Sequence, residues 1–299
     1  MTLYPPGSHI ASEPEIMSPP LPDFIIAGPQ KCATTWLYEC LREHPEVLLP
    51  DTDSVHYFDM HYSRGEGWYR DHFGSYDGEA MVGEETPSYI RDDMAPKRIS
   101  RTIPDAKILF VLRNPVDRAF SHYWHEKSKD KMSFEFSEVF ENYDLYNDWV
   151  VPGLYNRHIE RYLEHIPSEN LKLLFFDDLV DNDWAYLQDV YEFLDVDPTY
   201  QPSVLDSKVN EGKKRGVTSK RLYQVAVRAY SKWAPQFAVD AVRPVHDAVL
   251  GLATSKNEYE QGMQPEDRRR LEALIVDDIR ELDGMVERSF DHWFEYETL

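Results

Sequence analysis

Residues 24–41, FIIAGPQKCATTWLYECL, restrict the possible fold more than any other stretch of the chain. The apolar run reads as a short buried strand ending at Gly28, and TTWLYECLREH reads as a helix that Pro45 ends. A strand feeding a helix through a short loop is a building unit of α/β folds. It also gathers free backbone N–H groups and the positive end of a helix at one point. Lys31 adds a mobile cation there, and Thr34 and Thr35 add hydroxyl donors. Such a loop suits a terminal phosphate or sulfate. It departs from a nucleoside triphosphate loop, in which the lysine follows a second glycine. Here Lys31 comes only three residues after Gly28, and Ala33 stands where the later glycine belongs. The plainer alternative is a well-started helix with a surface lysine.

AKILFVL, residues 106–112, is the clearest buried strand, bounded by IPD and RNP. Pro115 then opens a helix at its first position. MVGEETPSYI reads as a strand broken at Pro87, LKLLFF as a strand ended by DD, and WAYLQDVYEFL as the next helix. Strands alternating with helices predict an α/β fold with a mainly parallel central sheet flanked by helices. Further on, residues 219–251 and 265–290 read as helices, the second with Leu271, Leu274, Ile275, Ile279, Leu282 and Met285 near helical spacing. The helix from Tyr223 to Leu252 either packs on the sheet or lies on a membrane surface or lipid acceptor. Residues 1–22, rich in proline and serine, read as a flexible lead-in without the pattern of a signal peptide. One folded domain is expected over 23–299.

Composition narrows the partners. With 299 residues, 42% of them hydrophobic, the chain can build a sizeable core. A net charge of −22 and a pI near 4.8 exclude nucleic acid, whose phosphates would meet an anionic body. The acidity itself reads as solubility or as adaptation to a salty cytosol. Cys32 and Cys40 are separated by most of a helix, too far to bridge, which fits reduced thiols in the cytoplasm. No stretch approaches the about 20 apolar residues of a transmembrane helix.

A second constellation is LRNPVDRAFSHYW. Arg113 falls just past the C-terminal end of a buried strand, where ligands of parallel sheets bind, and Ser121 follows two helical turns later. A guanidinium and a hydroxyl there suit a second phosphate. A surface ion pair of Arg113 with one of the many acids is the alternative.

Together the two stretches resemble the cofactor signatures of sulfotransferases that use 3′-phosphoadenosine 5′-phosphosulfate (PAPS). The family's first loop reads approximately Pro-Lys-x-Gly-Thr-Thr-Trp, against Pro29 to Trp36 here, with one extra residue and with Ala33 for the glycine. HYFDMHYSRGEGWYRDHF, VGEETPSYI, VPGLYNRHIERYL and IRELDGMVERSFDHWF resemble segments of the heparan-sulfate-type and bacterial members, so the likeness spans roughly residues 23–295.

The resemblance implies a P-loop-like sulfotransferase fold and PAPS as co-substrate. It places the 5′-phosphosulfate on Lys31, Cys32, Ala33, Thr34, Thr35 and Trp36, with Lys31 steadying the departing phosphate. It places the 3′-phosphate on Arg113 and Ser121, and adds Tyr155 and the basic loop with Lys213, Lys214 and Arg215. That basic knot in so acidic a chain reads independently as an anion contact, or else as a solvated charge run. Glu84 maps to the general base, and His56 orients the acceptor or the base. A strand turns Glu84 and Glu85 to opposite faces, so only one is expected in the cleft. No metal is expected, since only His122 and His125 are local ligands to one another and no third is evident. Family lysines are replaced by Asp53 and Glu85, which disfavours a polyanionic acceptor and favours a neutral glycan, a glycolipid or a small hydroxylated molecule. Two rival readings remain: a P-loop kinase, which needs Mg²⁺ and a Gly-Lys-Ser/Thr order, and a nucleotide-binding module without catalysis.

Overall fold

The computed structural model describes residues 19–52, 54–128, 134–206 and 262–296. Among these residues five strands form one sheet: β1 Phe24–Gly28, β2 Val47–Leu48, β3 Met81–Glu85, β4 Lys107–Leu112 and β5 Leu171–Phe175. Every pairing is parallel, in the order β2-β3-β1-β4-β5, so the expected α/β class and parallel sheet are what the chain forms. The described helices are α1 Thr34–Glu43, α2 Gly65–Arg70, α3 Ala95–Thr102, α4 Pro115–Ser128, α5 Tyr143–Trp149, α6 Tyr155–Leu163, α7 Phe176–Asp181, α8 Asp183–Leu194 and α9 Pro265–Val286.

Parallel strands covered on both faces need apolar side chains in both directions. Ile25, Ala27, Ile108 and Phe110 pack with Ile99 of α3, Ile159 of α6 and Ile279 of α9. Their neighbours Phe24, Ile26, Leu109 and Val111 pack on the other face, with Leu37 and Leu41 of α1 and Leu187 and Val190 of α8. Burying each such side chain stabilises the fold by about 1.5–3 kcal/mol. A third cluster joins Val116 and Tyr123 of α4 to Trp149 of α5 and Ile275 of α9.

Central β1 has β3 on one side and β4 on the other. The C-terminal ends of these three strands therefore border the crevice where open parallel sheets bind ligands. Gly28 closes that crevice tightly. Its φ is +110°, and a Cβ there would collide with the carbonyl oxygen of Pro87.

Some boundaries differ from the sequence reading. β3 stops at Glu85, and Pro87, lacking an N–H, begins the 3-10 turn Pro87–Arg91. Phe176 opens α7 instead of ending β5, because Asp177 and Asp178 suit a helix N-terminus. α9 ends at Val286, where Glu287 turns to φ +52°. Residues 1–18, Asp53, the helix read over 219–251 and the loop bearing Lys213, Lys214 and Arg215 lie outside the described residues. Among those described, no helix is long and apolar enough to cross a membrane. Cys32 and Cys40 are buried and unbridged.

Candidate active site

The loop between β1 and α1 has the backbone that its sequence suggested, at a cost. Lys31 and Ala33 both adopt φ +71°, a left-handed conformation that favours glycine. α1 has no side-chain cap and no acid in its first turn. Its first internal bond runs from the Leu37 N–H to the Ala33 carbonyl at 3.1 Å, so the preceding N–H groups face the loop mouth. Thr34 is buried, Thr35 is exposed, and Trp36 lies edge-on to Tyr186 with ring centroids 6.1 Å apart. Cys32 is wholly buried, and burial pushes its thiol up to about 11, so it remains protonated.

Arg113 ties this loop to the end of β4. Its Nη1 donates to the Lys31 carbonyl at 3.2 Å, and its guanidinium lies 4.9 Å from the Phe176 ring centre. Tyr155, expected at the nucleotide, is wholly buried beneath, donating its hydroxyl to the Arg113 carbonyl at 2.7 Å. Asn114 caps α4 by accepting from the Val116 N–H at 2.9 Å, while its Nδ2 donates to the Trp293 carbonyl at 2.6 Å. Ser121 is half-buried on α4. The structure thus brings Lys31, Cys32, Arg113 and Tyr155 into direct connection.

On the other flank, Glu84 lies at the end of β3. The register sets Glu84 beside Ile25 and Glu85 beside Ile26, whose side chains belong to opposite faces, as the strand alternation required. Glu84 is 0% exposed. The segment 57–73 covers it: Tyr57 stacks on Tyr69 at 4.2 Å, and the Tyr69 hydroxyl donates to Glu84 at 2.5 Å. Thr86 donates to it at 2.8 Å and Tyr89 at 3.2 Å. Burial outweighs these bonds and lifts the Glu84 carboxyl to about 7.

His56, by contrast, keeps 30% of its side chain exposed. Its Nδ1 lies 3.0 Å from Asp59 Oδ2, and Ser88 donates to the same oxygen at 2.6 Å. The His56 backbone N–H donates to Thr86 Oγ1 at 3.3 Å, so Thr86 links His56 to buried Glu84. The hydrogen bond to Asp59 raises the His56 pKa, although burial opposes it. Asp59 and Ser88 went unnoticed in the sequence. The i, i+3 spacing of His56 and Asp59 was the available signal.

Between the loop and α4 lies a cavity of about 230 Å³ whose walls include Gln30, Ser88, Arg91, Arg118 and His122 together with the carboxylates of Glu126 and Asp148. A larger one of about 330 Å³ lies along β5, walled by Asp178, Asp181 and Asp189, a lining unsuited to phosphate. Among the described residues, no three His, Cys, Asp or Glu side chains gather as metal ligands.

A family model described as a sulfotransferase domain matches residues 21–242. Bifunctional heparan sulfate N-deacetylase/N-sulfotransferase 3 of Homo sapiens is 35% identical over 202 residues, which is 61% of this chain and 23% of that protein. Heparan sulfate glucosamine 3-O-sulfotransferase 3B1 of Mus musculus is 37% identical over 181 residues, 58% of this chain and 46% of that protein. The aligned region thus spans less than half of either relative. The crystal structure of a sulfotransferase from Alicyclobacillus acidocaldarius shares the fold, with a TM-score of 0.67 over 91% of this chain and 98% of that one, at 23% identity.

Proposed function

The chain belongs to the sulfotransferase family, and from that membership we propose that it moves the sulfuryl group of PAPS to a hydroxyl of a carbohydrate, glycolipid or small-molecule acceptor. One observation carries the reading: Arg113, at the end of β4, donates to the backbone of Lys31, joining two anion grips across one crevice. A nucleotide charged at both ends of its ribose fits two such grips. The N–H groups from Lys31 to Trp36, with the Thr34 and Thr35 hydroxyls, take the 5′-phosphosulfate. Arg113 and Ser121 take the 3′-phosphate, and Lys213, Lys214 and Arg215 are assigned to the same nucleotide. Tyr155 and Cys32 act from beneath, fixing the Arg113 backbone and the loop.

In the transfer, the acceptor oxygen attacks sulfur while the bond from sulfur to the bridging phosphate oxygen breaks. Adenosine 3′,5′-bisphosphate leaves, its new charge met by Lys31 and the helix N-terminus. This is mostly positioning and charge stabilisation, as in phosphoryl transfer, and no step is assigned to a metal. The acceptor proton goes to a base. Burial of Glu84 favours His56 for that role, with Asp59 holding Nδ1 so that Nε2 faces the acceptor. Glu84 then acts as a positioning group through Thr86.

The relatives named for heparan sulfate make a sugar hydroxyl the leading acceptor class. The test is incubation of the protein with ³⁵S-labelled PAPS and a panel of sugars, glycolipids and phenols, followed by mass spectrometry. Stoichiometric sulfated product and adenosine 3′,5′-bisphosphate are expected. Magnesium-dependent consumption of ATP without sulfated product would replace this reading with a kinase.

A further inference from the structure

The cavity beside Gln30 holds donors that the roles above leave unused. Arg118 is wholly buried, yet only its Nη2 is engaged, donating to the Trp149 carbonyl. Among the described residues its Nε and Nη1 have no hydrogen-bond partner, nor has the buried Nδ1 of His122, one turn further along α4. Both side chains line the cavity. A guanidinium withdrawn from water with bonds unmade is strongly unfavourable unless an anion compensates it. Two acids also line the cavity: Asp148 is paired with Arg91, which leaves the Arg118 charge facing Glu126 alone of the two, itself 3.9 Å from His125. Burial, with Arg118 and Lys31 close by, depresses His122 to about 3, so the imidazole is neutral and the surrounding field positive.

We propose that this cavity seats an oxyanion carried by the acceptor (a carboxylate, or an ester sulfate or phosphate), held by Arg118 and His122. The proposal rests on the sulfotransferase reading of Lys31 and His56. Ser88 connects the two places, since it lines the cavity and also lies 3.3 Å from His56 Nδ1. A cavity of about 230 Å³ is smaller than the roughly 300–1,000 Å³ of typical ligand pockets, so it takes one group, not a chain of them. Whole-chain charge favoured a neutral acceptor. A buried cation acts at contact distance, however, whereas exposed acids are screened beyond about 8–10 Å in ordinary salt. A hydroxylated acceptor with a single negative group satisfies both.

Calorimetry on the full chain saturated with adenosine 3′,5′-bisphosphate tests this, using inorganic sulfate, methyl glucuronide, glucose 6-sulfate, glucose 6-phosphate and neutral methyl glucoside as probes. Sulfate and at least one charged sugar are expected to bind at least tenfold more tightly than the neutral glucoside. Comparison of the three charged sugars tells carboxylate, sulfate ester and phosphate ester apart. His122→Leu and Arg118→Met are expected to cut the charged preference to twofold or less. If Arg118→Met fails to fold, His122→Leu decides alone. Equal binding of charged and neutral probes, no sulfate binding, or a preference that survives His122→Leu overturns the proposal. Nucleotide affinity measured on the same samples separates the two failures: its absence removes the sulfotransferase reading as well, while its retention removes only the oxyanion seat.

Discussion

Ala33 holds φ +71° without the freedom of glycine, a conformation that costs an alanine about 1–2 kcal/mol. Ala33→Gly relieves this but adds about 0.5–1 kcal/mol of unfolded-chain entropy, so a gain of up to about 1 kcal/mol is expected in urea denaturation. Gly28→Ala meets the Pro87 carbonyl as well as a positive φ, and a loss of about 3 kcal/mol or more is expected from the same measurement. In its proposed role as base His56 must be deprotonated, and its pKa is raised above 6.5, so turnover should rise with pH through a midpoint above that value. Asp59→Asn should move the midpoint down and lower kcat. An unmoved midpoint would detach His56 from the chemistry. Glu84 has the opposite kind of consequence. Its folded pKa of about 7 exceeds the ordinary 4.5, so the folded state binds the proton more tightly. That contribution is complete below about 4.5 and is lost as pH rises through about 7, on the order of 3 kcal/mol in all. Glu84→Gln should flatten the loss, which thermal melts from pH 4 to 8 will read. The motif likeness placed Glu84 and His56 in one candidate site without separating their proposed roles. Burial of Glu84 depends on Tyr57 and Tyr69, which reach it only through tertiary packing.

At the scale of elements, the turn after β4 is held from a distant part of the chain. Asn114 caps α4 and donates to the Trp293 carbonyl, while Trp293 Nε1 donates to Asp177 at 2.8 Å. Buried Glu272 of α9 accepts from the backbone N–H groups of Glu295 and Tyr296, both at 3.1 Å. The C-terminal segment therefore straps the β4 and β5 ends together. Asn114→Ala is expected to cost about 1–2 kcal/mol from the lost cap and tether, and to weaken adenosine 3′,5′-bisphosphate binding severalfold by freeing Arg113. Calorimetry and denaturation on one preparation will measure both. The strands β1, β4 and β5 were legible because buried parallel strands are written as apolar runs bounded by turn residues. β2 was not, since two residues pairing with Met81 and Val82 carry no pattern of their own. α6 was quoted as part of a motif but not read as a helix. Its polar residues Asn156 and His158 are buried against Glu281 and the Val151 carbonyl, contacts invisible to periodicity.

For the whole molecule, a net charge of −22 surrounds the site proposed for a highly anionic nucleotide. Long-range repulsion then opposes encounter while Lys31 and Arg113 attract at contact. Raising ionic strength from about 10 to 150 mM shortens the screening length from about 30 to 8 Å, so the association rate should rise with salt, contrary to binding on a basic protein. Stopped-flow fluorescence of the tryptophans follows this directly. A rate that falls with salt would show that the local cations set the field. One crevice is proposed to hold two separate grips, for the two ends of one nucleotide. The most direct test is calorimetry of adenosine 3′,5′-bisphosphate against AMP. The extra phosphate meets a charged hydrogen bond of about 1.5–3 kcal/mol, so a preference of about tenfold or more is predicted for the bisphosphate, collapsing in Arg113→Ala. Equal affinities in the unaltered protein would contradict it.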